Sequence, residues 1–227
     1  MNPNLPLLYV EGRDDKWAIL NLLQRHGVDC VEQTRSFNVN TSEGLNDEKT
    51  ESVEALLEGM DFAIRQSRGR PTGFVFDADQ NLSSRWHSIV EHLKKTGFEC
   101  PTSPVASGTV LTANIQGVST TVGVWLMPNN ADKGMLEDFL TDLVKEGDQL
   151  LAHARTATDE AIRIDRQFPI VQRSKAVIHT WLAWQEKPGL PFGTAITAHY
   201  LSHDTPTALA FVNWFRKLFG MKASVVS

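Results

Sequence analysis

Leu7-Leu8-Tyr9-Val10-Glu11-Gly12-Arg13-Asp14-Asp15, near the start of the 227-residue chain, and Gly73-Phe74-Val75-Phe76-Asp77-Ala78-Asp79, a third of the way along, decide how the sequence reads. Each is an apolar run that ends abruptly in carboxylates. Short apolar runs bounded by turn signals fit buried strands of a parallel sheet. In an open α/β sheet, ligands bind in the crevice beyond the carboxyl ends of the strands. If the two runs are parallel neighbours, Glu11, Asp77 and Asp79 leave the sheet at one edge and converge. Crowded carboxylates cannot all stay ionised without a cation between them. Oxygen-only donors favour a hard ion such as Mg²⁺ or Mn²⁺.

Working outward from these runs, Asp14 or Asp15 caps a helix that reaches about His26, with Gly27 as its stop. Asp15 falls one turn beyond Glu11, within reach of the same ion, although capping alone also explains it. Trp17, Ile19, Leu20, Leu22 and Leu23 cover more than one face of this helix, which predicts packing between the sheet and another element. A second strand is expected within Val28–Val39, followed by a polar surface loop over Asn38–Thr50. Val53, Leu56, Leu57, Met60 and Ile64 form a helical stripe. That helix ends in Arg65-Gln66-Ser67-Arg68-Gly69-Arg70, a basic cluster that suits either a helix C-terminus or a phosphate contact. The spacing of Asp77 and Asp79 puts both side chains on one face of extended backbone.

Trp86, Ile89, Val90 and Leu93 give the next helix, and Gly108–Ile115 has the character of a short strand or hairpin. Thr121–Pro128 is the last strand. A turn over Asn129–Gly134 leads to a helix near Met135 with a buried stripe of Leu136, Phe139, Leu140 and Leu143. Glu137 and Asp138 lie off that stripe, in the first turn. They either complement the helix dipole or face a second ion at a third strand-to-helix junction. The expected architecture is α/β, a mostly parallel Rossmann-like sheet with flanking helices over residues 1–145. A helical extension over 146–227 packs on it, because no Gly/Ser linker divides the two. Trp181, Trp184 and Trp214 in this extension either fill its core or mark a surface that packs on a partner.

Composition narrows the functional classes. The chain is 41% hydrophobic and 22% charged, ordinary values for a globular protein, and no run approaches a membrane span. The opening residues lack the basic start and apolar core of a signal peptide, and two distant cysteines suit a reducing compartment, so a cytoplasmic location is expected. A net charge of −5 argues against coating nucleic acid with the whole surface. It leaves room for a metal-dependent nuclease, because bound cations reverse the local sign.

Val10-Glu11-Gly12-X-X-Asp15, followed some sixty residues later by Phe76-Asp77-Ala78-Asp79, resembles the Toprim domain of topoisomerases, bacterial primases, recombination mediators and overcoming-lysogenization-defect (OLD) nucleases. The run Trp125-Leu126-Met127-Pro128-Asn129-Asn130, continuing through Gly134-Met135-Leu136-Glu137-Asp138, is similar to small stand-alone Toprim proteins related to the OLD nucleases. The resemblance implies Glu11, Asp15, Asp77 and Asp79 at one Mg²⁺ or Mn²⁺, with Glu137 and Asp138 near a second. It also implies Glu11 as a catalytic carboxylate and Lys175 as a catalytic lysine late in the chain. Tyr9 and Tyr200 lack the setting of a topoisomerase nucleophile, and Cys30 and Cys100 cannot build a primase zinc ribbon. Metal-dependent hydrolysis of nucleic acid remains, DNA ahead of RNA. The chain has no Gly-X-X-X-X-Gly-Lys phosphate loop, so the resemblance implies a separately encoded ABC-type ATPase partner and a role in defence against phage. The net negative charge, the absent phosphate loop and the three C-terminal tryptophans suggest a homodimer or that ATPase as what the extension packs on. Two alternatives stay open: a non-catalytic Toprim-fold subunit, and a metal-dependent nucleotide-sugar transferase that uses the Asp-X-Asp.

Overall fold

The structure is a computed structural model and describes residues 5–45 and 52–222. Five strands, β1 (Leu7–Val10), β2 (Asn38–Thr41), β3 (Thr72–Asp77), β4 (Thr109–Ile115) and β5 (Val118–Met127), form a sheet in the order β2-β1-β3-β5-β4. All neighbours are parallel except β4 and β5, which make an antiparallel hairpin at one edge. The fold is α/β and Rossmann-like. Its chain leaves β1 towards β2 and returns to β3 on the other side of β1. The topological switch point therefore lies between β1 and β3, the strands that carry Glu11 and Asp77.

The apolar runs are continuous because the central strands are buried on both faces, and alternate residues supply opposite cores. Leu8, Val10, Val75, Trp125 and Met127 point to one side. Leu7, Tyr9, Phe74, Phe76, Val122, Val124 and Leu126 point to the other. The second side is covered by α2 (Val53–Gln66) and α3 (Leu82–Lys95). The first is covered by α1 (Arg13–Arg25), α4 (Leu136–Asp142), α5 (Gln149–Asp165), α6 (Arg173–Ala183), α7 (Phe192–Thr197) and α8 (Pro206–Phe219).

The helices after residue 145 thus supply much of one layer of the fold. Helix α8 starts with Thr205 accepting from the Ala208 N–H at 3.3 Å and with Pro206 in its first turn. It lays Ala208, Phe211, Val212, Phe215 and Leu218 into the core, with Phe211 and Trp214 against Trp125. Close approach to the sheet depends on two glycines that pair in register, Gly73 and Gly123. A Cβ on Gly123 would lie 2.4 Å from Leu218 Cδ2, and one on Gly73 2.9 Å from the same atom.

Several sequence expectations shift. β2 begins only at Asn38, so most of Val28–Val39 is irregular, and the loop expected from Asn38 starts with strand and a 3₁₀ turn over Ser42–Gly44. The rest of that loop, residues 46–50, lies outside the described residues. Trp17 is exposed rather than packed between layers. Trp181 and Trp214 are core residues, whereas Trp184 is partly exposed and stacks on His153. The turn at Pro188–Gly193 runs into the short helix α7, which the sequence pattern does not reveal.

Gly123→Ala is expected to cost about 1–3 kcal/mol by overpacking. The cost should shrink in a Leu218→Ala background, because the two changes act on one contact. Denaturant melts of the single and double variants measure both terms.

Candidate functional site

Three strand-to-helix junctions meet at the carboxyl edge of the sheet. The first, from β1 to α1, carries Glu11 and Asp15; the end of β3 carries Asp77 and Asp79; the passage from β5 to α4 carries Glu137. These side chains line one cleft of about 470 Å³, with Lys175, Gln172 and Val171 also on its walls. Asp15 and Glu137 are 9% and 6% exposed, low values for acidic residues.

The carboxylates also hold the junctions together. Glu11 Oε1 accepts from the Asp77 N–H at 2.8 Å and ties β1 to β3. Asp77 Oδ1 accepts from the Leu136 N–H at 2.9 Å and ties β3 to the start of α4. Asp15 Oδ2 accepts from the Gly12 N–H at 3.1 Å, so the capping role and the cleft position coexist. Ser42 Oγ donates to the Glu11 carbonyl at 2.8 Å and anchors the chain beyond β2.

Asp79 reaches the cleft by a different route from the one its spacing suggests. The backbone leaves the extended region after Asp77, and Asp79 has φ +53. It is held there by paired backbone hydrogen bonds with Gly134, both 2.8 Å. Its side chain pairs with Arg85, whose Nε donates to the Asp77 carbonyl at 3.0 Å. Arg85 escaped the sequence reading. Its one signal is Asn81, which caps α3 through the Ser84 N–H at 3.0 Å and sets Arg85 one turn in. The contact exists only because Asp79 turns back.

Asp138 stands apart from the other acids. One of its oxygens accepts from the Met135 N–H at 2.9 Å and the other from Ser174 Oγ at 2.6 Å, and it does not line the cleft. It caps α4 and ties that helix to α6. Lys175 lies at the cleft, with Nζ 3.4 Å from Glu137 Oε1 and its side chain 47% exposed. The basic cluster lies at the opposite, amino-terminal edge of the strands. There Arg70 donates to the carbonyls of Ser67, Leu5 and Gln66, which leaves it a structural role. His179 is exposed and packs beside Phe192.

Burial and mutual repulsion shape the electrostatics. Burial pushes Glu11 up to about 8, opposed by the Asp77 N–H and reinforced by Asp15 and Asp79. Burial likewise pushes Asp15 up to about 7, opposed by the Gly12 N–H and reinforced by Glu137. Asp77 is raised well above the carboxylate range by burial and then by Glu11, Asp15, Glu137 and Asp79. An all-oxygen donor set under such repulsion has the chemistry that a hard divalent cation relieves. Its geometry is not closed around a single point. Among the described residues, no group of three His, Cys, Asp or Glu side chains stands ready to hold an ion.

Residues 6–220 match the family described as "Protein of unknown function (DUF3226)", and the chain belongs to that family. No curated protein and no solved structure matches it.

The raised carboxyls fix the sign of a pH dependence. A carboxyl whose folded pKa exceeds its unfolded value stabilises the protein fully below the unfolded pKa, near 4, and this contribution is lost as pH rises through the folded pKa. In a chelator, the melting temperature is therefore expected to fall between about pH 4 and pH 8, the window set by Asp15 and Glu11. Glu11→Gln keeps an acceptor for the Asp77 N–H and removes the charge. It should raise the melting temperature at pH 8, leave it nearly unchanged at pH 4, and so flatten the slope.

Proposed function

We propose that this chain is a divalent-metal-dependent phosphodiesterase acting on nucleic acid, of the Toprim type that resembles the OLD nucleases. The observation that supports this reading is the convergence of Glu11, Asp15, Asp77, Asp79 and Glu137, from three separate junctions, on one cleft at the switch point of the sheet. Repulsion within the cluster gives the folded chain a standing affinity for positive charge. Four of these carboxylates, Glu11, Asp15, Asp77 and Asp79, would hold one Mg²⁺ or Mn²⁺, and Glu137 with Asp138 would stand near a second.

When bound, such an ion offsets charge on a scissile phosphate and lowers the pKa of its water. The residues themselves contribute position and proton control. Glu11 is anchored by the Asp77 N–H, so its carboxyl stays at the strand end while its proton is lost or gained. Lys175, on the far wall and half-exposed, can leave Glu137 for a phosphate oxygen and support charge on the leaving side. Asp138 acts at one remove: it fixes the start of α4, and with it Glu137, and ties α4 to Ser174, the residue before Lys175. DNA ranks ahead of RNA as substrate by resemblance. A separately encoded ABC-type ATPase and a role in phage defence rest on the same analogy. A homodimer would pack through the helical extension, where Trp184 is partly exposed.

One observation favours a second reading, a non-catalytic subunit that keeps the fold. Several cleft oxygens are already engaged, by backbone N–H groups and by Arg85 on Asp79.

The two readings separate in one experiment. Under the phosphodiesterase reading, Mg²⁺ or Mn²⁺ at about a hundredfold excess over Kd stabilises the wild type by about 2.7 kcal/mol. For a chain of this length that corresponds to roughly 5–10 °C in Tm. The double variant Asp77→Ala, Asp79→Ala should lose the shift, together with Mn²⁺-dependent cleavage of plasmid, linear DNA and RNA. Equal stabilisation of the double variant would remove the site assignment, and a metal shift without cleavage of any substrate would favour the non-catalytic subunit.

A further inference from the structure

The cleft continues past the carboxylates. Arg13, Trp17 and Asn21 are spaced by four along α1 and form one stripe on the side away from its buried face. Arg13 lines the carboxylate cleft, and one turn on, about 5.4 Å along the axis, Trp17 lines a second hollow. Asp14 borders both. The hollow is a slot of about 130 Å³ between Trp17 and the start of α7, walled by Pro191, Phe192 and Thr194. Helix α7 sits flush on α1 because residue 193 is glycine; a Cβ there would lie 2.8 Å from the Trp17 carbonyl oxygen.

Trp17 is 56% exposed, an unusual disposition for the largest side chain in a helix that otherwise buries its apolar residues. Folding does not require it there, since Ala18, Ile19, Leu22 and Leu23 already fill the buried face. Lys16 Nζ stands 6.0 Å from the centre of the Trp17 ring, which puts a cation beside the aromatic surface. A pocket for a drug-sized molecule spans about 300–1,000 Å³. The slot is too small for that; its volume is on the scale of a single ring.

We propose that Trp17, with the slot beside it, is a stacking platform for an unpaired nucleobase, and that the preferred substrate is therefore single-stranded nucleic acid. The inference rests on the phosphodiesterase reading and adds strandedness to it. The base stacks on the indole while the adjoining backbone runs past Lys16 and Arg13 to the carboxylate cleft. A flat aromatic surface beside cations suits single strands of any sequence, because every base offers a π-face. In a duplex the bases are stacked on one another, and none reaches the platform without being extruded.

The test is fluorescence anisotropy with a short labelled oligothymidylate and a labelled duplex of equal length. Ca²⁺ is used as the hard cation, because it takes the same oxygen donors. The full chain is compared with Trp17→Ala and Trp17→Phe, each checked by a melting curve. Wild type is expected to bind the single strand more tightly than the duplex. Trp17→Ala should weaken single-strand binding by roughly 5- to 150-fold, the worth of one base–aromatic stack, and leave duplex binding unmoved. Trp17→Phe should recover most of the loss. Quenching of tryptophan fluorescence by the oligothymidylate should diminish in Trp17→Phe. Unchanged single-strand affinity in Trp17→Ala, equal loss on both probes, or no binding of either probe would each overturn the platform. Retention of a protein by wild type but not by Trp17→Ala, without an effect on the single strand, would assign the surface to a protein partner instead. The metal-dependent rise in Tm reads the carboxylate site separately, so failure of the platform while that rise persists leaves the phosphodiesterase reading intact.

Discussion

The structure depends on a concentration of negative charge that the fold holds in place. Glu11, Asp15, Asp77, Asp79 and Glu137 share one cleft, and burial with mutual repulsion drives three of them towards protonation. Such a cluster destabilises a folded chain at neutral pH and persists only where other interactions outweigh it. Here the outweighing interactions are close at hand. The strands that deliver the acids are buried on both faces, by Phe74, Phe76 and Tyr9 on one side and by Val75, Trp125 and the α8 aromatics on the other. The chain ends of the strands cannot retreat from one another without opening both cores.

The acids are also receivers of backbone hydrogen bonds, and this couples stability to chemistry. The Asp77 N–H goes to Glu11 and the Leu136 N–H to Asp77, so neutralising the cluster need not loosen the junctions. Asp138 shows the limit of the pattern. It has the same residue type and the same relation to its helix start as Asp15, but its second oxygen is taken by Ser174. One aspartate at such a helix start borders the cleft and the other has both oxygens engaged in hydrogen bonds; their surroundings decide which.

Charge is distributed in accord with a local rather than a global grip on a polyanion. The chain carries a net −5, and within its strongest basic run Arg70 is spent on carbonyls at the far edge of the sheet. Lys175 and Arg13 stand instead at the cleft, and Lys16 beside the neighbouring slot. A cation bound among the acids would join these groups in attracting a phosphodiester, whereas the rest of the surface would repel it.

Much of this was legible in the sequence, because strand burial and helix stripes are local signals. The runs ending at Val10, Asp77 and Met127 read as buried parallel strands, and the spacing of Leu, Phe and Trp residues set the long helices. Glu11, Asp77 and Asp79 followed, since a carboxylate at a strand end has only one edge of the sheet to occupy, whereas Asp15 and Glu137, in first helical turns, read equally as caps or dipole partners. Other features belong to the tertiary structure alone. Asp79 faces the cleft through a left-handed turn braced by Gly134 and Arg85, residues 55 and 6 positions away, which no spacing rule connects. Asp138 is withdrawn by Ser174, 36 residues on, and Lys175 is brought to Glu137 by the packing of α6 on α4. Trp17 carries the same hydrophobic signal as Ile19 or Leu22, and only the docking of α7 shows that it lines a slot instead of a core. The sequence determined which residues end at the edge of the sheet, because that depends on periodicity; which of them share a cleft depends on long-range contacts that periodicity does not encode.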